Sequence, residues 1–213
     1  MGSTATLDSA QVQAAHIELM RAIAADLHDL PMVLKGGTAL LLCYGLDRFS
    51  EDLDFDAPKK FSLVGRVERV LSQHAQSFSI KTVKDTETVQ RLKIHYRKGA
   101  VDRLLKIETS FRQTPNPESV VTLSGIKTYA ISALIDQKLA ALVGRTKARD
   151  LYDVAFLART FRAEFSADAS TRLTDILRDL DALEGRFRLA FEDDSILRIE
   201  QLPALLVQLE DSI

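Results

Sequence analysis

Between Leu34 and Asp56 the chain reads Leu-Lys-Gly-Gly-Thr-Ala-Leu-Leu-Leu-Cys-Tyr-Gly-Leu-Asp-Arg-Phe-Ser-Glu-Asp-Leu-Asp-Phe-Asp, and few folds accommodate that order. Met32-Val33-Leu34 follows Pro31 as a short buried strand, and Gly36-Gly37 turns the backbone. Thr38–Leu46 then reads as a helix, with Thr38 as its N-cap or first-turn residue. Leu53–Asp56 alternates apolar and acidic, which is the period of a strand. Asp52 and Asp54 therefore project from one face, with Asp56 following nearer the Pro58 loop, while Leu53 and Phe55 take the buried face.

The chemistry follows from those residue types. Two neighbouring carboxylates repel unless a cation lies between them, and hard oxygen ligands suit Mg²⁺ or Mn²⁺. Gly36 and Gly37 let a phosphate approach without Cβ interference, and the following helix offers unpaired N–H groups at its positive end. A phosphate-binding turn 15 residues ahead of a metal-binding pair is what nucleotidyl transfer from an NTP requires. An Asp-x-Asp or a Gly-Gly alone also occurs on ordinary surface strands and turns. Their combination with the apolar flanks favours a site. Ser50, Arg48 and Lys35 lie beside it as candidate phosphate contacts.

The rest of the chain divides by pattern. Residues 9–29 carry Val12, Ile17, Leu19, Met20, Ile23 and Leu27 along one broad helical stripe, and residues 61–77 are helical by the same test. Strand-like runs follow at 78–83, 89–96, 103–111 and 120–123, broken by Gln113-Thr-Pro-Asn-Pro-Glu. After Gly125 the character changes, and residues 129–213 show helical runs and no strand. The predicted organisation is an α/β core over residues 1–125 and a helical C-terminal domain over 126–213.

Charge is distributed unevenly. Residues 1–58 carry −6, residues 59–149 carry +11 and residues 150–213 carry −7. A basic middle attracts polyanions such as NTP or RNA, although a face of solvated lysines gives the same count. A membrane span needs roughly 20 apolar residues, far more than Ala39–Cys43 supplies, and Met1–Thr6 is polar without a signal-like sequence behind it. The single cysteine, Cys43, excludes an internal disulfide, reads as a core residue and suits a reducing cytoplasm. His16, His28, His74 and His95 show no ligand spacing, which argues against zinc; His16 and His28 read as helix-surface residues.

The Gly-Gly…Asp-x-Asp pattern resembles the signature of the DNA polymerase β-like nucleotidyltransferase superfamily. Within it, Lys-Gly-Gly-Thr-Ala-Leu…Tyr-Gly-Leu-Asp-Arg-Phe-Ser-Glu-Asp-Leu-Asp-Phe is similar to the AbiEii/AbiGii toxin family, to which the MenT toxins belong. A second block, Lys138 through Arg149-Asp-Leu-Tyr-Asp153, matches that family's downstream Lys and Arg-Asp-x-x-Asp. Read by itself, the block is a helix with Ile131, Leu134, Ile135, Leu139 and Leu142 buried and Lys138 at the edge, then a second helix on which Arg149 and Asp153 can pair.

The resemblance implies an α+β fold: a mixed sheet with flanking helices, then a helical C-terminal region. It implies Asp52, Asp54, Lys138 and Asp153 as catalytic residues, with Asp52, Asp54 and Glu108 as metal ligands. Gly36, Gly37, Thr38, Ser50, Lys138 and Arg149 are the implied NTP contacts. Glu108 enters because the superfamily carries a third carboxylate on a later strand. The implied activity is transfer of a nucleoside monophosphate to RNA, the tRNA 3′ end foremost, with a cognate antitoxin as partner. A small-molecule acceptor, a protein hydroxyl, or a non-catalytic nucleotide-binding module are the alternatives.

Overall fold

The computed structural model describes residues 9–212, so the polar segment Met1–Thr6 lies outside the described residues. The chain forms two compact units, residues 1–129 and 130–213.

The first unit is built on a mixed seven-stranded sheet flanked by helices. Helix α1 (Ser9–Asp26) buries Leu19, Met20 and Ile23, and β1 (Val33–Lys35) follows. Helix α2 (Gly36–Tyr44) starts directly at the two glycines rather than at Thr38, with Lys35 as its N-cap residue. Strand β2 (Leu53–Asp56) and helix α3 (Val64–His74) come next; α3 turns Val67, Val70 and Leu71 inward at helical spacing. A meander of β3 (Ser77–Asp85), β4 (Val89–Lys98) and β5 (Val101–Ser110) precedes the hairpin of β6 (Val120–Leu123) and β7 (Ile126–Tyr129).

The strand order is β3-β4-β5-β2-β1-β7-β6. β2 pairs parallel with β5 and β1 parallel with β7, and the other neighbours are antiparallel. β2 is thus a short central strand, and the side chains of its two neighbours reach both sides of its acids.

β7 is a strand the sequence reading left out. Ser124 (φ 49°) and Gly125 (φ 78°) form the two-residue turn of the β6–β7 hairpin. Both residues lie at positive φ, the turn geometry that matches the twist of paired strands. The glycine that read as a boundary is a hairpin turn, and the sheet unit therefore continues to Tyr129.

The second unit is helical: α4 (Ile131–Gly144), α5 (Ala148–Thr160), α6 (Ala167–Ile176), α7 (Leu180–Glu192) and α8 (Leu202–Glu210). α4 and α5 pack together, α8 covers α5, and α6 lies on α4. Arg186 of α7 caps the end of α4, donating to the carbonyls of Leu142 at 2.7 Å and Arg145 at 2.9 Å. Those are carbonyls that a helix end leaves without intrahelical partners. Among the described residues no helix is long and apolar enough to cross a membrane.

Candidate active site

The alternation in β2 is realised as expected: Leu53 and Phe55 are buried, and the three acids lie on the opposite face. Register then decides what surrounds them. Asp54 sits opposite Lys35 of β1 on one side and Glu108 of β5 on the other. Lys106, two residues before Glu108 and on the same face, places Nζ 2.7 Å from Asp52 Oδ2. Arg91 of β4 holds Glu108, with Nη2 2.5 Å and Nε 2.6 Å from Oε2. Asp56 is buried and receives Lys35 Nζ at 2.5 Å and the Tyr129 hydroxyl at 3.0 Å.

Asp54 is the electrostatic centre of the group. Burial pushes its carboxyl above the ordinary carboxylate range, and Asp52 and Glu108 push the same way against Lys106 and Lys35. Lys106 shows the reciprocal effect. Burial disfavours its ammonium, but Asp52, Asp54 and Glu108 outweigh that and raise its pKa. The acids of this face, Asp52, Asp54, Asp56 and Glu108, have drawn in Lys106, Lys35 and Arg91.

The backbone that carries these acids is fixed from behind. Thr38, buried in the first turn of α2, donates its hydroxyl hydrogen to the Asp52 carbonyl, so the Ser50 hydroxyl 2.7 Å away is the donor to Thr38. One residue earlier, His16 of α1 lies 2.9 Å from the Glu51 carbonyl through Nε2 and 2.8 Å from the Tyr96 hydroxyl through Nδ1. A carbonyl only accepts, so Nε2 carries the proton and Nδ1 accepts from Tyr96. Burial lowers the His16 pKa, which keeps the ring neutral in this role. His16 is 1% exposed. The expectation of a surface histidine was therefore incorrect: a helical stripe reports spacing, and the long-range partners that bury a polar side chain leave no local trace.

The glycines meet the acids closely. Gly36 has φ +74°, and a Cβ there would lie 3.8 Å from Asp54 Oδ2. A Cβ on Gly37 would lie 2.6 Å from Arg48 Nη2 and 3.3 Å from Ser50 Oγ, so the Arg48 guanidinium lies directly against this turn. Of the predicted phosphate contacts, Gly36, Gly37, Thr38, Ser50 and Arg48 are brought together, whereas Lys35 is committed to Asp56.

Asp52 and Asp54 fit a divalent metal by donor type, shared face and mutual charge, with the Lys106 ammonium already drawn to the same point. Glu108 lies opposite Asp54 but turns to Arg91, and among the described residues no three His, Cys, Asp or Glu side chains converge on a common point. Both Arg91 contacts fall on Oε2 of Glu108.

The second predicted block lies within the helical unit. Lys138, expected at the edge of its helix, is buried, with Nζ 2.7 Å from Asp153 Oδ2 and 3.2 Å from Asp150 Oδ1. The Asp153 side chain is fully enclosed. Asp150 also receives Arg145 at 2.6 Å and 3.0 Å, and these two cations outweigh burial to hold its pKa below the ordinary range. Arg149 donates to Asp194 at 3.0 Å and Ser195 at 3.2 Å. Asp150 and Arg145 were not singled out by sequence reasoning, although Asp150 is part of the Arg-Asp-x-x-Asp run.

Comparison with known proteins shows the family. A family model described as nucleotidyl transferase AbiEii toxin, type IV toxin–antitoxin system, matches residues 18–211. The chain belongs to the AbiEii nucleotidyltransferase toxin family, and it is a nucleotidyltransferase. It is 37% identical to JHP933 from Helicobacter pylori, with a TM-score of 0.84 over 97% of this chain and 93% of that one. It is 38% identical to a second H. pylori structure, provisionally named a nucleotidyltransferase, with a TM-score of 0.83 over 97% and 96% of the two chains. MenT4, a nucleotidyltransferase toxin from Mycobacterium tuberculosis, shares the fold at 18% identity and a TM-score of 0.54, over 94% and 82%. No curated protein matches the sequence.

Proposed function

We propose that this enzyme transfers a nucleoside monophosphate from an NTP to RNA, with the 3′ end of tRNA as acceptor, and so blocks translation under the control of a cognate antitoxin. The observation that carries the reaction is Asp54, desolvated between Asp52 and Glu108 with the Gly36 backbone beside it.

Asp52 and Asp54 would hold a divalent ion, Mg²⁺ foremost, with Glu108 as the third ligand. When bound, such an ion neutralises phosphate oxygens and acidifies an attacking hydroxyl. The residues of the chain do the rest. Gly36, Gly37 and Thr38 offer backbone N–H groups at the start of α2 to the triphosphate, and Ser50 and Arg48 border that turn. Lys138 and Arg149 belong to the helical unit, and a phosphate contact at either is what the family resemblance implies. Asp153 is enclosed and contacts Lys138, so it acts as a positioning residue that sets the direction of the ammonium.

The acceptor follows from charge: residues 59–149 carry +11 in a chain of net −2. Sequence-tolerant binding of RNA rests on phosphate contacts of this sign. The test is incubation with bulk tRNA, Mg²⁺ and each α-³²P-labelled NTP in turn, with Asp52→Ala as control. Label on tRNA that disappears in the variant is the expected result. Absence of label with every NTP would overturn the RNA acceptor and redirect the search to a small-molecule or protein hydroxyl.

A further inference from the structure

The register of the meander aligns basic residues across strands in a way their sequence positions do not suggest. Lys81 of β3 pairs with Lys93 of β4, and Lys93 pairs with Lys106 of β5. Three lysines thus stand side by side across three strands, on the face that carries the catalytic acids. The next row runs Lys84, Arg91, Glu108, Asp54 and Lys35 across five strands. Lys81, Lys84 and Lys93 are exposed, and the opposite face of β4 and β5 is the buried one, with Leu92, Ile94, Leu105 and Ile107.

Like charges directly opposite one another destabilise a sheet, so three lysines in a row do not serve the fold. Strand spacing of about 4.8 Å makes the row about 10 Å long, reaching past a single phosphate group. The row also has a direction: its inner end, Lys106, touches Asp52. Acid side chains further along this face are already taken, Glu108 by Arg91 and Asp102 by Arg97 and His95.

We propose that Lys81, Lys93 and Lys106 form a track for the phosphodiester backbone of the RNA acceptor, leading its reactive end from the sheet edge at β3 to Asp52. This deepens the RNA reading above and rests on it. Lys84 and Arg91 flank the track, and Leu104, about half exposed on the same face, gives it an apolar border.

The test compares wild type with Lys81→Gln/Lys93→Gln for binding of bulk tRNA between 50 and 200 mM salt. Neither residue belongs to the metal or NTP set, so the thermal shift produced by Mg²⁺ and NTP should persist in the variant. Loss of two contacts to a single strand should reduce the log–log salt slope by about 1.4. The melting temperature should stay level or rise, because an unfavourable pair is removed. If wild type binds tRNA and the variant binds with the same slope, the track is overturned while the RNA acceptor stands. If wild type does not bind tRNA, both readings fall. If the variant loses binding of polyglutamate but not of tRNA, the row serves an acidic protein and the proposal is overturned.

Discussion

His16 donates to the carbonyl oxygen of Glu51 at 2.9 Å, so a neutral imidazole on the first helix fixes the backbone one residue ahead of Asp52. Tyr96, from β4, donates to the other nitrogen of the same ring. A helix, a loop and a strand distant in sequence are joined at one buried side chain.

His16→Ala should therefore lower stability by about 2–4 kcal/mol, since it leaves the Tyr96 hydroxyl and the Glu51 carbonyl short of partners. Denaturant titration measures this. The pH dependence has a defined sign. The folded pKa lies below the unfolded value near 6.5, so the contribution of His16 is present above pH ~6.5 and is lost as pH falls through the folded pKa. Wild type should lose stability on acidification in that window, and the variant should lack that part of the loss.

Asp54→Asn should abolish transfer and yet raise the melting temperature in EDTA. The folded pKa of Asp54 is raised, so its contribution is present below the unfolded value and lost as pH rises through the folded one. At neutral pH its charge is a cost. A gain of about 1 kcal/mol corresponds to roughly 2–4 °C for a chain of this size. Mg²⁺ should stabilise wild type but not the variant, and calorimetry with and without the ion distinguishes them.

Lys106→Met removes the cation that stands against Asp52 and shares the field of Asp54 and Glu108. The expected result is a lower melting temperature in EDTA and a larger rise than wild type on adding a divalent ion. An unchanged metal-induced shift would argue against a metal at Asp52.

Lys138→Met leaves two enclosed carboxylates facing each other, and breaking a buried pair from one side costs about 3–5 kcal/mol. Combining it with Asp153→Leu should cost clearly less than the two single changes together, because Asp150 keeps Arg145. A double-mutant cycle by chemical denaturation reads that coupling.

Gly36→Ala places a side chain at φ +74°, in the left-handed region, at a cost of about 1–2 kcal/mol. A Cβ there has ordinary room beside Asp54, so the expected effect is backbone strain and weaker NTP binding rather than collapse of the fold. Nucleotide titration by thermal shift follows it.

The central motif was legible in the sequence because its pattern is local. Leu53 and Phe55 alternate with the acids, and that alternation alone sends Asp52 and Asp54 to one face. The helical second unit was legible for the same reason, through Leu134, Ile135, Leu139 and Leu142. What escaped depends on contacts between distant segments. Lys106 and Arg91 become part of the site only through the β2–β5 and β4–β5 registers, and His16 only through Tyr96 and Glu51. Lys138 looked like an edge residue since nothing in its own helix announces the two aspartates of the next. The β6–β7 turn at Gly125 was not legible as a hairpin because a tight turn and a domain junction use the same residue types.

The parallel pairing of β2 with β5 carries a consequence for synthesis. Asp54 leaves the ribosome well before its cross-strand neighbour Glu108, a gap of roughly 3–10 s at ~5–20 residues per second. Throughout that interval the emerging chain has its acid pair but neither Lys106 nor Glu108 beside it, and β2 has no strand on that side. Asp54 therefore acquires its electrostatic surroundings only when the meander docks, so the charge balance of this face is set by the later-made part of the sheet.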